Sequence, residues 1–113
     1  MEDVATKGAI APSKPVVLKD LVDYAQGAIV SRTIAKSKAG TLTLFAFSVG
    51  EELSEHSAPF DAYVQVLDGR VELTIAGEVI TAESGETVLM PRDVPHAVLA
   101  RQPFKMLLTM LKG

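Results

Sequence analysis

The sequence predicts an all-β domain built as an antiparallel β-sandwich or closed barrel. Short β-rich runs recur along the chain at spacings of roughly 8–12 residues, with turn signals between them. No such run alternates with a long helical pattern, which argues against a parallel α/β sheet. The chain has 113 residues, 48% of them hydrophobic and 22% charged, which is enough for one domain around one core.

The N-terminal part is predicted to be an arm. Residues 1–14 mix small, polar and charged types, which is typical of a loose segment or one laid on a neighbour. Residues 15–113 are assigned to the barrel domain. Within it, residues 19–24 could form a short helical turn, with Gly27 close behind as its stop.

The first strands are predicted from alternation and turn residues. In residues 41–47 Thr and Phe share one face, and Leu and Ala share the other. Residues 50–59 are acidic and are predicted to be irregular. The turn pair Asp68-Gly69 is expected to end the strand that begins at Asp61. The complete set of predicted strands is 28–34, 41–48, 61–67, 70–75, 78–82, 87–90, 96–100 and 104–111.

The second half of the chain has the clearest strand. Residues 70–75 place Val and Leu on one face and charged or hydroxyl side chains on the other. Ala76-Gly77 is short enough for a two-residue hairpin turn, with the glycine supplying a positive φ. Residues 83–86 turn again, and Pro91 and Pro95 stiffen the loop before the last two strands.

The last strand is unusual because residues 106–111 are apolar on both faces. A strand with one wet face should alternate. Its second face is therefore expected to be covered, either by the N-terminal arm or by another subunit. A homodimer formed through the edge strands and the N-terminal segment is the expected assembly.

Composition excludes several classes of function. The net charge is −3 and no run of Lys or Arg is present, so no nucleic-acid partner is expected. No apolar stretch approaches the ~20 residues of a membrane helix, so no membrane partner is expected. The chain has no cysteine, which excludes disulfides and thiolate sites. Without an apolar leader in its first residues, the chain is expected to be cytoplasmic.

Two segments carry glycines and histidines at fixed spacing. In the first, residues 50–69, five residues separate Gly50 from His56, and Gly69 closes the segment. In the second, residues 85–100, five residues separate Gly85 from Pro91, and a short gap leads to His96. A predicted β-hairpin lies between the two segments.

These paired segments resemble the two signatures of the cupin superfamily, in particular the small single-domain cupin 2 conserved-barrel type. The resemblance covers about residues 41–111 and implies a double-stranded β-helix, the jelly roll or cupin barrel. It also implies a divalent metal held by three His and one Glu. His56 and His96, the chain's only histidines, fall on ligand positions. Ala58 and Ala62 stand where the signature has its second His and its Glu, and Ala100 replaces a terminal Asn.

The metal site implied by the resemblance is incomplete in this chain. Two neutral imidazoles are fewer than the three or four protein ligands of an ordinary site. Asp61 is a weak third candidate, since a bulge near Pro59 would be needed to turn it inward. We expect no tightly bound metal, with Fe, Mn, Ni, Zn or Cu as the alternative.

The Ala residues also predict a wider and more apolar cavity, because they remove bulk as well as charge. A concave apolar pocket with two convergent polar groups is the usual form of a small-molecule site. The alternative is that the same side chains fill the barrel. The residues predicted to contact a ligand are His56, His96, Phe45, Phe47, Phe60, Val64, Met90 and Met106.

Three functions remain open at this point. The first is a small-molecule-binding cupin of unknown specific role, whose ligand in the barrel is oriented by the two histidines. The alternative is a metal-dependent cupin enzyme of the dioxygenase or isomerase type with an incomplete two-His site. The third is a structural or interaction protein with a filled barrel. Whether the chain is an enzyme is left open.

Overall fold

The structure is a computed structural model, and it describes residues 10–112. A short 3-10 helix, Leu18–Leu21, precedes eight strands in the described part of the chain. The strands are β1 Ile29–Ser37, β2 Gly40–Phe47, β3 Glu52–His56, β4 Asp61–Ile75, β5 Glu78–Glu83, β6 Thr87–Met90, β7 His96–Leu99 and β8 Phe104–Leu111. All of their pairings are antiparallel, which confirms the predicted all-β class.

The strands form two sheets that share β4. In sheet A the order is β1, β2, β8, the first half of β4, and β6. In sheet B the order is β5, the second half of β4, β7 and β3. The register of β4 against β8 shifts between Val66 and Asp68, just before β4 leaves one sheet for the other. Because one long strand serves both sheets, they curl around a common interior.

That interior holds the main core, which draws side chains from both sheets. Its fully or almost fully buried members are Phe47, Ala62, Val64, Val66, Val71, Leu73, Ala82, Met90, Val98, Ala100, Phe104 and Met106. Those on β4 and β8 recur at every second position within each paired run, as the pleat of a strand requires. The rings of Phe47 and Phe104 stack with their centroids 4.6 Å apart. These aromatic and aliphatic side chains therefore fill the barrel at this level.

Two predictions about the strands were wrong. Asp68-Gly69 does not end a strand, because β4 pairs with β8 on both sides of it and runs on to Ile75. Residues 50–59 are not wholly irregular, because they contain β3, which pairs with β7. The hairpin at Ala76-Gly77 is confirmed, with φ of 52° and 80° at the two turn residues.

The outer face of sheet A carries a second, smaller core beneath the N-terminal segment. Leu18, Leu21 and Val22 pack there against Leu44 and Leu107. This contact explains in part why β8 is apolar on both faces, because the chain's own N-terminal segment covers Leu107. The predicted arm, residues 1–14, lies partly outside the described residues.

Polar contacts fasten this N-terminal segment to the barrel. The Tyr24 hydroxyl donates to Asp68 Oδ2 at 2.6 Å, and Lys105 Nζ donates to the carbonyl oxygen of Lys19 at 2.6 Å. The Lys105 ammonium also lies 4.9 Å from the centre of the Tyr24 ring. Burial, together with the Asp68 carboxylate, raises the pKa of Tyr24 above its ordinary value. The hydroxyl therefore keeps its proton and remains a donor.

We expect Thr41→Val to stabilise the protein. Thr41 Oγ1 is buried without a hydrogen-bond partner in the described structure, and an unsatisfied buried hydroxyl is costly. Replacing it with a methyl group of similar shape should raise the free energy of unfolding by about 1 kcal/mol. Urea unfolding of both proteins would measure the change. The exposed Thr33 of the neighbouring strand offers a control, for which Thr33→Val should change little. A loss of stability in Thr41→Val alone would contradict the prediction.

Among residues 10–112, no helix is long and apolar enough to cross a bilayer.

Candidate functional site

The two histidines lie side by side on neighbouring strands of sheet B. His56 ends β3 and His96 begins β7, and the two residues are paired in register. Leu53 pairs with Val98, so the move of three residues from Leu53 to His56 in β3 lies opposite a move of only two residues, from Val98 to His96, in β7. This extra residue is a β-bulge. Without it, His56 and Leu53 would point to opposite faces of the sheet. The bulge therefore brings His56 onto the face of His96.

The imidazole pair, His56 and His96, has a defined geometry. Their Nε2 atoms are 3.2 Å apart, and the rings meet edge to face with an interplanar angle of 76°. Each Nδ1 lies against a backbone carbonyl oxygen two residues earlier, at 2.8 Å from Ser54 and 3.1 Å from Val94. Since a carbonyl oxygen only accepts, each Nδ1 donates and each Nε2 is left as the acceptor of a neutral ring.

The pair therefore has room for one proton between its rings. With both rings neutral, two Nε2 lone pairs face each other across 3.2 Å. One added proton turns this contact into a hydrogen bond and leaves both carbonyl contacts intact. Burial, and then the charge of His56, lowers the pKa of His96. His96 is only 4% exposed, whereas His56 is exposed, so the burial that opposes a charge acts on the His96 ring.

The structure does not add a third ligand to the imidazole pair. No group of three His, Cys, Asp or Glu side chains that could hold a metal is found among residues 10–112. Asp61 is engaged elsewhere, where its Oδ1 accepts from the Arg92 backbone N–H at 2.9 Å. The register of β4 is continuous from Asp61 to Val66, so the bulge that would have turned Asp61 inward is absent there. Asp61 as a third ligand stays a prediction.

The donor set does not fit the four-ligand site that the resemblance implies. Ala62 is buried in the core and Ala58 is half-buried, and neither side chain can bind a metal. Two imidazole nitrogens alone supply no negative charge to neutralise a dication.

Most of the apolar residues predicted to contact a ligand lie in the barrel core. Phe47, Val64, Met90 and Met106 are fully or almost fully buried, and Phe45 packs against them from a partly buried position. Phe60 is outside this group and lies 5.9 Å from the Lys112 ammonium. Whether any of these side chains contacts a ligand stays a prediction.

Two surface cavities are well formed in the described structure, and neither is lined by a histidine. One, of about 290 Å³, lies where β1, β2 and β8 end or begin. The other, of about 200 Å³, lies beside Arg70, Glu72 and Arg101. Glu72 accepts from Arg101 Nε at 2.7 Å there. The imidazole pair is open to solvent through the exposed His56, and we call this end of sheet B the mouth of the barrel.

Sequence reasoning identified both histidines but missed the strand and the bulge that bring them together. The only apolar residue of β3 is Leu53, so the segment lacks the alternation that predicts a strand. The two backbone carbonyls that fix the rings, at Ser54 and Val94, were also missed. An i–2 carbonyl contact leaves no signal in residue type.

Comparison with known proteins supports the resemblance. The profile of the family described as "Cupin domain" matches residues 43–110. A conserved protein of unknown function from Streptococcus pyogenes shares 36% identity, with a TM-score of 0.87 and coverage of 92% of this chain and 91% of that one. A cupin superfamily protein from Desulfitobacterium hafniense shares 25% identity over 92% and 95% of the two chains, with a TM-score of 0.87.

A third structure is longer than this chain. The cupin 2 conserved barrel domain protein from Leptotrichia buccalis shares 37% identity with a TM-score of 0.81, and the match covers 83% of this chain but 46% of that one. Among curated proteins there is no significant match. The family profile spans more than half of the sequence, and the curled two-sheet architecture agrees with it. This chain belongs to the cupin family.

Proposed function

We propose that this protein is a small-molecule-binding cupin in which the imidazole pair orients the polar end of a largely apolar ligand. The observation that carries the proposal is the opposed arrangement of the two Nε2 atoms, 3.2 Å apart. Both Nδ1 atoms are occupied by backbone carbonyls, so the rings cannot turn without losing those bonds. Two fixed acceptors at the mouth favour a ligand that brings a hydrogen-bond donor.

The chemistry of the pair narrows the class of ligand. A neutral Nε2 accepts from a hydroxyl, a phenol or a protonated amine. The exposed ring of His56 is open to an incoming molecule, while the buried ring of His96 leads toward the apolar interior. A ligand with a hydroxyl group on an aromatic or aliphatic framework matches both the hydrogen-bond acceptors of the imidazole pair and the apolar interior beside His96.

The proposal can be tested with two probes that differ only in the donor. Phenol carries a hydroxyl on an aromatic ring, and anisole has the same ring with a methyl ether. We expect phenol, and not anisole, to shift the ring nitrogen resonances of both histidines in ¹⁵N NMR. The His56→Phe variant should lose the response at His96. Equal responses to both probes, or none to either, would refute donor recognition by the pair.

The metal-dependent alternative rests on one observation. Neutral histidines that bind a metal commonly donate their other ring nitrogen to a carbonyl, as both rings do here. The absence of a third ligand among the described residues weighs against it. Elemental analysis of protein purified without chelator or affinity tag tests it directly. Stoichiometric metal in the parent, lost in the His56→Ala, His96→Ala double variant, would favour the enzyme over the binding protein.

The lowered pKa of His96 predicts a pH-dependent stability. In the unfolded chain His96 titrates near 6.5, whereas the folded chain resists its protonation, so below this pH the unfolded chain binds more protons. The free energy of unfolding should therefore be constant above about pH 7 and fall below about pH 6.5, by at most about 1.4 kcal/mol per pH unit. Urea unfolding from about pH 8 to about pH 5 measures the slope.

A matched variant separates this effect from the other titrating groups. His96→Gln keeps a polar side chain that does not titrate, and its stability should change less between pH 7 and about pH 5. His56 faces His96 directly, so His56→Gln removes the opposing charge and should leave a smaller slope than the parent has. Identical slopes in the parent and His96→Gln would contradict the prediction.

A further inference from the structure

The outer face of sheet B carries a cavity with charged and polar walls, and neither histidine lines it. Its volume is about 200 Å³, and its lining residues are Arg70, Val71, Glu72, Thr81, Arg101 and Gln102. The Val71 side chain is buried in the barrel core, so its neighbours Arg70 and Glu72 lie on the outer face of β4. Thr81 of β5 is paired with Glu72 and lies on the same face.

The loop that forms one wall of this cavity is fixed at both ends. It joins β7 to β8 and comprises residues 100–103. Ala100 is fully buried, and its N–H donates to the carbonyl oxygen of Glu51 at 2.9 Å. At the other end, Phe104 is buried in the barrel core. The wall is therefore held against the sheet before any ligand arrives, which lowers the ordering cost of binding.

The cavity has one positive charge that no carboxylate of the described chain neutralises. Arg101 Nε donates to Glu72 Oε1 at 2.7 Å, and these two charges compensate each other. The Arg70 side chain, by contrast, makes no hydrogen bond or ion pair within residues 10–112. Glu83 is its cross-strand partner in β5, but the two side chains form no ion pair. A free guanidinium beside a walled cavity favours an anionic ligand, although the whole chain has a net charge of −3.

The second guanidinium of the cavity is also open to a ligand. The Arg101 side chain is 70% exposed, and exposed ion pairs contribute little to stability, so Glu72 does not hold it firmly. Its fork has N–H donors beyond those that face Glu72. The planar fork of a guanidinium matches a carboxylate through two parallel hydrogen bonds. Arg70 and Arg101 thus provide an excess of charged donors in one cavity.

We propose that this cavity is a second binding site, separate from the imidazole pair, and that its ligand is a small hydroxycarboxylate. One uncompensated guanidinium matches the single charge of a carboxylate. A phosphate group, with its second pKa at about 6, is mostly a dianion at neutral pH and would be repelled by Glu72.

The remaining walls of the cavity explain the hydroxyl groups of the ligand. Glu72 offers acceptor oxygens, and Thr81 and Gln102 each offer both a donor and an acceptor. The volume has room for about seven water-sized groups, which suits a ligand of about three or four carbons. A carboxylate bound by the guanidinium groups, with neighbouring hydroxyl groups on these polar side chains, uses every part of the cavity.

NMR titration of the full chain at about pH 7 and constant ionic strength tests the proposal with three probes. Glycerate carries hydroxyl groups beside its carboxylate, propionate has the same carbon chain without them, and inorganic phosphate has the higher charge. We expect glycerate to give saturable shifts of the Nε–H resonances of Arg70 and Arg101, and to bind more tightly than propionate or phosphate. His56→Phe should leave the glycerate dissociation constant unchanged, because His56 does not line the cavity.

Two variants that remove one positive charge each distinguish a site from general attraction. Arg70→Gln removes the free guanidinium and should weaken glycerate binding by about tenfold or more. Lys38→Gln removes the same charge from the exposed turn between β1 and β2, and its effect should stay below about twofold because salt screens distant charges. Thr81→Val should reduce the preference for glycerate over propionate.

Three results would overturn the proposal. One is the absence of a saturable shift with glycerate at the arginine side chains. Another is an equal loss of affinity in Arg70→Gln and Lys38→Gln, which would indicate attraction to overall charge only. The third is binding of propionate or phosphate at least as tight as that of glycerate, which would contradict recognition of a hydroxycarboxylate.

Discussion

Gly69→Ala is expected to abolish most of the folded population. Gly69 lies where β4 passes from sheet A to sheet B, and its φ of 76° is in the left-handed region. A Cβ atom added there would collide with the carbonyl oxygen of Pro103 and lie 3.0 Å from the Cα of Phe104. Both are backbone atoms of the chain entering β8, so neither can move aside as a side-chain tip could. The backbone strain alone costs about 1–3 kcal/mol.

The cost of the collision adds to this backbone strain, which alone is a large fraction of the free energy of unfolding of a small domain. Domains of this size are stable by about 5–15 kcal/mol. The obstructing backbone belongs to the pairing of β4 with β8, which joins eight residues of each strand, so relief requires separating these strands. We expect a loss of more than about 4 kcal/mol, at the upper end for single substitutions. Urea unfolding, or circular dichroism where no folded baseline is left, would measure it.

Gly77→Ala is the matched control for this prediction. Gly77 has a φ of 80°, close to that of Gly69, but an added Cβ would meet no atom within 4 Å. Its substitution should therefore cost only the left-handed strain, about 1–2 kcal/mol. The difference between the two variants isolates the close approach of β4 and β8. Equal losses of stability in Gly69→Ala and Gly77→Ala would show that the close approach of β4 and β8 at Gly69 contributes nothing.

Gly69 also shows where sequence reasoning about the fold reached its limit. Asp68-Gly69 has the composition of a two-residue hairpin turn, and the sequence alone favours that interpretation. In the structure the positive φ serves a different purpose, because it bends one continuous strand from sheet A into sheet B. The choice between turn and bend is made by pairing with β8, some 35 positions away, and local sequence does not contain it.

Other elements were predictable because local and long-range preferences agree there. β6 and β8 begin and end where the sequence predicted, since turn residues flank both of them. The hairpin at Ala76-Gly77 was predictable for the same reason, as it joins two adjacent strands of matched register. β3 was not, because a short strand with one apolar residue owes its existence to pairing with β7.

The candidate site was likewise predictable from the sequence only in part. Motif spacing identified His56 and His96 as residues that would converge, and the structure places their rings in contact. The bulge in β3 and the carbonyls that orient the rings are consequences of backbone pairing, and residue type does not reveal them. Asp61 was weighed on the assumption of a bulge near Pro59, but the bulge lies in β3 instead. Register, and not composition, decided which polar groups meet.

Phe47→Ala is expected to lower the free energy of unfolding by about 3–5 kcal/mol. Phe47 is fully buried in the barrel core, with its ring stacked on that of Phe104 at 4.6 Å. Removing the ring takes away apolar contacts and leaves a cavity that two opposed sheets cannot close. Phe45→Ala is the comparison, because Phe45 lies 6.1 Å away by ring centres and is only partly buried. Phe45→Ala should lower the free energy of unfolding by distinctly less than Phe47→Ala does.

The size of this loss decides how far into the barrel a ligand can reach. If Phe47 lined an open cavity, its ring would have few partners on one side and its removal would cost little. A loss in the full range means that Phe47, Met106 and their neighbours fill the interior. The ligand would then be confined to the mouth beside the imidazole pair. A small loss, comparable to that of Phe45→Ala, would instead favour the deeper site predicted from sequence, with Val64 and Met90 against the ligand. In both cases the two Nε2 acceptors stay at the mouth, so phenol and anisole remain the probes that test them.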